Sequence, residues 1–168
     1  PGTSALALTI GASDYSITVP TASAAVDNLS FTDLRLLAKN YSDDLNALKN
    51  QALSIIDVGL GYDYNYDGND VNGKMVLVER GIFSINEKVM IAKKHGAIAV
   101  LLYNNDPKEG QIPHYLGNGS EFIPAFALTN EQGLQVADKV KQGKSTFMLK
   151  TLGEYKTSGD KMAAFSSR

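Results

Sequence analysis

The sequence predicts an α/β domain, a twisted β-sheet or open β-barrel sandwich flanked by two α-helices. Three observations carry that prediction. The apolar runs "KMVLVE" (74–79) and "AIAVLLY" (97–103) bracket a stretch of helical period. A second succession follows, in which "FIPAFAL" (122–128) leads into another amphipathic stretch and then "STFMLKT" (145–151). The first half of the chain instead shows short alternating runs rich in β-branched residues, the mark of strands.

Taken in order, "ALALTIGA" (5–12) alternates before the turn signal "SD" and reads as a strand. Strand-like runs follow near 15–20, 29–37 and 52–58, broken by polar clusters such as "KNYSDD", and "DDLNALKNQ" suits one short helical turn. This half reads as β-rich and irregular. After the strand at 74–79, Ser84 with Glu87 three residues on is the reciprocal cap of a helix start. Ile85, Val89 and Ala92 share one helical face, with Glu87, Lys88, Lys93 and Lys94 elsewhere on the cylinder. Gly96 stops the helix, and 97–103 resumes as a buried strand, parallel to the first through a right-handed crossover. In the second unit Thr129 and Gln132 repeat the cap, Leu134, Ala137 and Val140 supply the inward face, and Gly143 ends the helix. Between the units lies "NNDPKEGQIPHYLGNGSE", aperiodic and of a length that is more often functional or mobile than idle.

At 168 residues, with 43% hydrophobic and 20% charged, the chain is sized and composed for one well-buried core. A net charge of -2 with scattered Lys and Arg offers no basic field, which argues against a nucleic-acid partner. The longest apolar run, "GAIAVLLY", falls well short of the roughly 18–20 residues that cross a bilayer, so no membrane insertion is expected. The opening residues have neither a basic region nor a cleavage site, so no signal peptide is read there. No cysteine is present, which excludes disulfides and thiolate chemistry. Asn-x-Ser triplets begin at Asn28, Asn40 and Asn118, and carry little weight because chance produces them often.

The stretch "DYNYDGNDVNGK" (63–74) matches the first half of a calcium loop through Asp63, Asn65, Asp67 and Gly68, with Asp70 as a further carboxylate. Its twelfth position holds Lys74 where a bidentate Glu is required. An acidic, Asx-turn-rich entry to a strand, tightened by Asn72-Gly73, is the favoured reading, and no cofactor is expected. Two histidines, His95 and His114, are too few for a three-histidine zinc site; His95 suits a helix C-terminus, while His114 in the long loop is placed to touch a ligand. No Gly-x-Ser-x-Gly occurs, Ser4 in "GTS" runs straight into a strand, and "GLGY" (59–62) precedes no phosphate-cradling helix. The residues therefore offer no catalytic constellation.

"DVNGKMVLVERGIFSINEKVMIAKKHGAIAVLLYNN", followed by "IPAFALTNEQGLQVADKVKQG", resembles the protease-associated (PA) domain. The shared pattern is Gly-Lys, a hydrophobic strand, Arg-Gly, a helix with Ala-Lys, Gly-Ala, a strand ending in Tyr-Asn-Asn, a Pro-containing strand and a closing helix. The ends, "ALALTIGASDY" and "DKMAAFSSR", resemble two halves of a strand pair in the catalytic domain of subtilisin-like serine proteases, where extracellular and cell-envelope enzymes of Gram-positive bacteria carry such an insert. The resemblance implies residues 1–14 and 158–168 as stubs of a host, residues 15–157 as the inserted domain, and a hairpin pairing 5–12 with 161–166. It places the catalytic Asp, His and Ser outside the segment.

By the same resemblance the fragment is a non-catalytic accessory unit, either binding protein or peptide substrates of its host or controlling access to the active site. A spacer or dimer contact, or a weak calcium-binding module, are the alternatives. The expected partners are those substrates and the catalytic domain of the same chain, and the expected location is extracellular or cell-wall associated. Ligands of parallel sheets sit outside the carboxyl ends of the strands. The candidate contacts are therefore Arg80 and Gly81 after the first strand, Tyr103, Asn104 and Asn105 after the second, and His114 and Tyr115 in the loop.

Overall fold

The computed structural model describes residues 16–158, apart from 43, 114 and 144. The hairpin expected between 5–12 and 161–166, and His114, lie outside the described residues.

Eight strands and three helices alternate along the described chain: β1 (Ser16–Val26), β2 (Leu29–Lys39), α1 (Asp44–Leu48), β3 (Ala52–Asp57), β4 (Met75–Glu79), α2 (Ile85–Lys94), β5 (Ala99–Tyr103), β6 (Gly117–Asn118), β7 (Ala125–Leu128), α3 (Asn130–Gln142) and β8 (Thr146–Ser158). Strands β3, β4, β5 and β7 run parallel, as crossover helices require. β8 then joins β3 antiparallel, β1 joins β8, β2 joins β7, and β1 also pairs with β2, so seven strands close into a barrel. Of the eight described strands only β6 stands outside that ring, parallel to the end of β2.

Closure depends on the first two strands, which are far more regular than their polar punctuation predicts. β1 and β2 are 11 residues each. Residues 21–26 of β1 pair with β2, while β1 pairs with β8 from Ser16↔Ser158 to Val26↔Phe147. Both registers shift beside Ala24, where an extra residue bends the strand and lets it serve two neighbours. β8 is correspondingly 13 residues long, running well beyond the 145–151 that its apolar run predicts.

The parallel strands are apolar on both faces because both are covered. Met75, Leu77, Leu101, Phe126 and Leu128 pack with Leu34, Leu36, Phe147 and Leu149, and with Val136 and Ala137 of α3. Val76, Val78, Val100, Leu102, Ala125 and Ala127 lie in a second cluster with Ile85, Val89 and Ala92 of α2. The α2 face is as the spacing predicts, with one correction: Lys88 is fully buried as well. On α3 the expected Leu134 is 54% exposed. Gly133 takes the inward position instead, because only a residue without a side chain fits against the Tyr103 ring.

The caps divide similarly. Thr129 Oγ1 accepts from the Gln132 N–H at 3.1 Å while Gln132 Oε1 accepts from the Thr129 N–H at 3.0 Å, the reciprocal box at the start of α3. Ser84 has the extended backbone of an N-cap but its side chain makes no cap bond, so the expected Ser84–Glu87 box does not form. At the other end of α2, the N–H of Ala97 donates to Ala92 O and that of Gly96 to Lys93 O, a Schellman stop with Gly96 at φ 93°. A methyl group there would come 2.7 Å from Asn72 Oδ1. Gly96→Ala should therefore lower stability by about 1–2 kcal/mol, read from urea denaturation, for its left-handed backbone alone.

Candidate functional site

The acidic stretch before β4 is built from turns. A 3₁₀ turn spans Asp63–Tyr66, and Asn65 Oδ1 accepts from the Tyr62 N–H at 2.9 Å. Asp70 Oδ1 accepts from the Asn72 N–H at 3.1 Å, and the Lys74 N–H donates to Val71 O, closing a turn with Gly73 at φ 73°. Asp63 faces away from the loop and meets Lys94 Nζ at 3.1 Å and His95 Nε2 at 2.8 Å. Those two bonds, His95 first, hold its carboxyl below the usual carboxylate range. The His95 imidazole stacks flat on Tyr66, ring centroids 4.4 Å apart, and burial pushes the Tyr66 phenol up. Asp63, Asn65 and Asp70 thus each hold a structural hydrogen bond, and among the described residues no cluster of three or more His, Asp or Glu converges.

At the carboxyl ends of the parallel strands the chain leaves β4 through Arg80 and β5 through Asn104. Arg80 N–H donates to Tyr103 O and Asn104 N–H to Leu128 O, extending the ladder one rung past each strand. Asn104 is fully buried. Its Oδ1 accepts from Arg80 Nη1 at 3.2 Å and from the Asp106 N–H at 3.1 Å, its Nδ2 donates to Gly110 O at 3.1 Å, and its own carbonyl accepts from Asn130 Nδ2 at 3.0 Å. Arg80 also pairs with Glu109 at 3.0 Å. One residue thereby ties β4, β5, α3 and the start of the long loop together.

The remainder of that loop is fastened to β2. Gln111 Nε2 donates to Asp33 O, Leu116 N–H to Leu37 O, and Asn40 Nδ2 to Ser120 O and Phe122 O. Ile112 and Phe122 are buried in the α2-side cluster. Between this loop and α2 opens a cleft of about 390 Å³, lined by residues 80–86 and Leu116.

The rim of the cleft is a strained turn. Phe83 N–H donates to Gly81 O at 2.8 Å across a single residue, Ile82, whose φ is 67°. This is a γ-turn with a β-branched residue in the left-handed region, a conformation costing about 1–2 kcal/mol. Ile82 is nevertheless 81% exposed. Strain spent on presenting an apolar side chain to solvent is characteristic of functional positions. Beneath it Phe83 stacks on Tyr62 at 4.5 Å, and Tyr62 on Tyr64 at 5.3 Å. On the other side of Phe83 lies Lys88, its Nζ 4.0 Å from the ring centroid and 2.5 Å from Leu60 O. Burial pulls the Lys88 ammonium down to about 8, against a smaller opposing pull from Glu79.

Lys88 has a thermodynamic consequence. Its folded pKa is depressed, so between about pH 8 and the ordinary lysine value of 10.5 the unfolded chain holds a proton that the folded chain has released. Stability should rise with pH across that window. Urea denaturation at pH 8 and pH 10 should show the wild type gaining on the order of 2–3 kcal/mol relative to Lys88→Met, while the raised phenols of Tyr66, Tyr103 and Tyr115 pull both proteins the other way.

The sequence-predicted residues are placed differently. Arg80 and Gly81 line the cleft, and Asn105 lies beside Gly81, its Nδ2 3.4 Å from the position a Gly81 Cβ would take. Tyr103 and Asn104 are internal: Tyr103 is 6% exposed, its phenol pushed up to about 12 by burial and by the carboxylates of Glu79 and Asp57. Tyr115 is half-buried, which raises its phenol, and it precedes Leu116 at the cleft wall. Ile82, Phe83, Lys88 and Leu116 carry no sequence signal of a site. Ile82 and Phe83 sit in an unpatterned connection, and Lys88 reads as one more solvent-facing lysine.

A family model described as "PA domain" matches residues 41–136. The minor extracellular protease Vpr of Bacillus subtilis is 33% identical over 100% of this chain and 20% of its own length. A C5a peptidase of Streptococcus pyogenes is 36% identical over 63% of this chain and 9% of its own length. The chain therefore spans a fifth or less of these two relatives. Among solved structures, an aminopeptidase from Aneurinibacillus sp. strain AM-1 superposes with a TM-score of 0.58 over 88% of this chain and 37% of that one, at 21% identity, which speaks to the fold alone. With more than half its residues inside the family model and its seven-stranded barrel built on the strand and helix order described above, this chain is a PA domain.

Proposed function

We propose that this domain is the non-catalytic accessory unit of a subtilisin-like serine endopeptidase, and that the cleft beside Ile82 binds protein or peptide substrates of that enzyme. The observation that carries the reading is the cleft itself, a recess of mixed polar and apolar lining at the carboxyl ends of parallel strands whose rim holds an exposed isoleucine in a strained turn. Insertion into a host is supported by the pairing of Ser16 with Ser158, which sets the entering and leaving strands side by side. By analogy with the relative whose name describes an extracellular protease, the parent acts outside the cell, at or beyond the wall of a Gram-positive bacterium. The parent's catalytic Asp, His and Ser lie in segments flanking this one.

The test is an amide titration of the isotope-labelled domain with unlabelled peptides. Shifts confined to residues 80–86 and 115–117 are expected; unperturbed amides there at millimolar peptide would remove the binding reading. Deleting 16–158 from the parent should then change its cleavage preference. A spacer would leave that preference intact. The domain needs no calcium on this reading, so its melting temperature should be the same in calcium and in chelator, whereas a rise in calcium would return Asp63, Asn65, Asp67 and Asp70 to the role of ligands.

A further inference from the structure

We propose that a second recess, at the opposite end of β4 from the cleft, is a binding site for a short aliphatic carboxylate, with Lys74 and Ser145 as its polar contacts. The inference does not depend on the cleft or on what fills it.

The recess arises from an offset in the sheet. β3 pairs with β8 as far as Ser54↔Thr146, and with β4 only from Ile55↔Met75 onward. Beside that step and the carboxyl end of α3 lies a space of about 480 Å³, with Ile55, Ile56 and Val140 as its apolar wall and Ser54, Lys74 and Ser145 as its polar one. Recesses that hold small molecules measure about 300–1,000 Å³. This one has a more apolar lining than the cleft.

Two polar groups in the wall lack partners. Ser145 is 2% exposed, and its hydroxyl has no hydrogen-bond partner. Lys74 is half-buried and enters no ion pair among the described residues. Buried hydroxyls are nearly always satisfied, so an orphan in the wall of a recess points to a group that the recess receives. Both residues stand on fixed backbone: Ser145 O accepts from the Ile55 N–H at 3.1 Å, the Lys74 N–H donates to Val71 O at 2.9 Å, and Lys74 O accepts from the Ile98 N–H at 2.9 Å. The Ser145 hydroxyl reaches a ligand by rotation about a single bond.

Charge decides the ligand. Lys74 is the one ionised side chain among the described lining residues. Asp27, at the turn between β1 and β2, directs Oδ1 to the Thr146 N–H at 3.2 Å. The carbonyl end of α3 carries partial negative charge, but Lys139 and Lys141 stand in its last turn. An ammonium and a hydroxyl beside two isoleucines and a valine therefore match a carboxylate on an aliphatic tail. Inorganic phosphate would leave the apolar wall unused, and a plain hydrocarbon would leave Lys74 and Ser145 as they are. Free short-chain acids and the carboxyl-terminal leucine or isoleucine of a peptide both present the required chemistry. Lys74, which stands where a calcium loop needs glutamate, thereby acquires a use of its own.

The experiment titrates the isotope-labelled 168-residue chain with sodium hexanoate, and with hexanol as the same tail without the charge. Hexanoate should shift the amides of 54–56, 74 and 140–143 saturably in the millimolar range, and hexanol should bind roughly tenfold more weakly. Lys74→Met should weaken hexanoate roughly tenfold and bring it level with hexanol, whereas Lys74→Arg should keep most of the affinity. Ser145→Ala should weaken hexanoate about threefold without lowering the melting temperature, since the hydroxyl it removes bonds to nothing in the free domain. Ser54→Trp, at an exposed position of the lining, should fill the recess and abolish binding. N-acetyl-leucine binding like hexanoate, with its amide failing to bind, would uphold the site and assign it to peptide carboxyl termini; hexanoate binding alone would uphold it for free acids. Absent or unsaturable shifts at those amides, equal affinities for hexanoate and hexanol, or hexanoate binding untouched by Lys74→Met and Ser54→Trp would overturn it.

Discussion

Asn104→Ala is expected to cost about 2–4 kcal/mol and to free the segment from Asp106 to Gly110. The side chain is fully buried and bonded at both ends: two donors meet its oxygen, and its nitrogen donates to Gly110 O. Truncation strands the Asp106 N–H and the Gly110 carbonyl and removes one of Arg80's acceptors, and each buried polar group left unpaired costs about 1–3 kcal/mol. Asn104→Asp is the sharper test. It keeps the acceptor for Arg80 and Asp106 but has no proton for Gly110 O, so it should retain the position of Arg80 while losing the turn at 106–110. Hydrogen exchange at Asp106 and Lys108 would distinguish the two variants. Unchanged protection in both would show that the loop is held by its ties to β2 alone.

Gly133→Ala should be nearly as harmful, although alanine is the better helix former by about 1 kcal/mol. A methyl group at 133 would lie 2.0 Å from Tyr103 Cγ and 2.2 Å from its Cβ. Tyr103 sits at the end of a central strand hydrogen-bonded on both sides, so neither the strand nor the first turn of α3 can yield cheaply. Overpacking of this kind costs typically 1–3 kcal/mol and occasionally more. A net loss of about 2 kcal/mol corresponds to a melting temperature lower by roughly 4–8 °C for a domain of this size. Shortening the tyrosine should not repair it, because the clash reaches Cβ; a Gly133→Ala, Tyr103→Leu pair that melted like the wild type would refute the account.

These two residues mark the boundary of what the amino-acid order discloses. The β4–α2–β5 and β7–α3–β8 units were legible because local signals agree: apolar runs of strand length, helical spacing at Ile85, Val89 and Ala92, the Thr129–Gln132 box, and glycine stops at 96 and 143. Barrel closure was not, since it rests on pairing between β1 and β8, more than a hundred residues apart, and on a bulge beside Ala24 that no residue type announces. Leu134 misled for a related reason. Its spacing is as good as that of Val136, and only the Tyr103 ring decides that Gly133 faces inward.

The candidate cleft was legible only in part. The rule that ligands gather at the carboxyl ends of parallel strands led to Arg80 and Gly81, which line the cleft, and to Asn105 beside Gly81. It also led to Tyr103, whose ring packs in the core, and to Asn104, whose buried side-chain amide has three partners of its own. Ile82 and Lys88 escaped because their roles contradict their types. An isoleucine is expected inside and a lysine outside, and here each takes the other's place.

The pairing of Ser16 with Ser158 also fixes how the domain answers mechanical load. Tension carried along a host chain would enter and leave through neighbouring strands at the same end of the β1–β8 ribbon. Such a pull parts the rungs one after another from the open end instead of shearing them all at once. The domain should yield to modest force by peeling from residues 16 and 158 inward, as far as Pro20↔Glu154, before the β1–β2 pairing that begins at Thr21 and closes the barrel bears any of the strain.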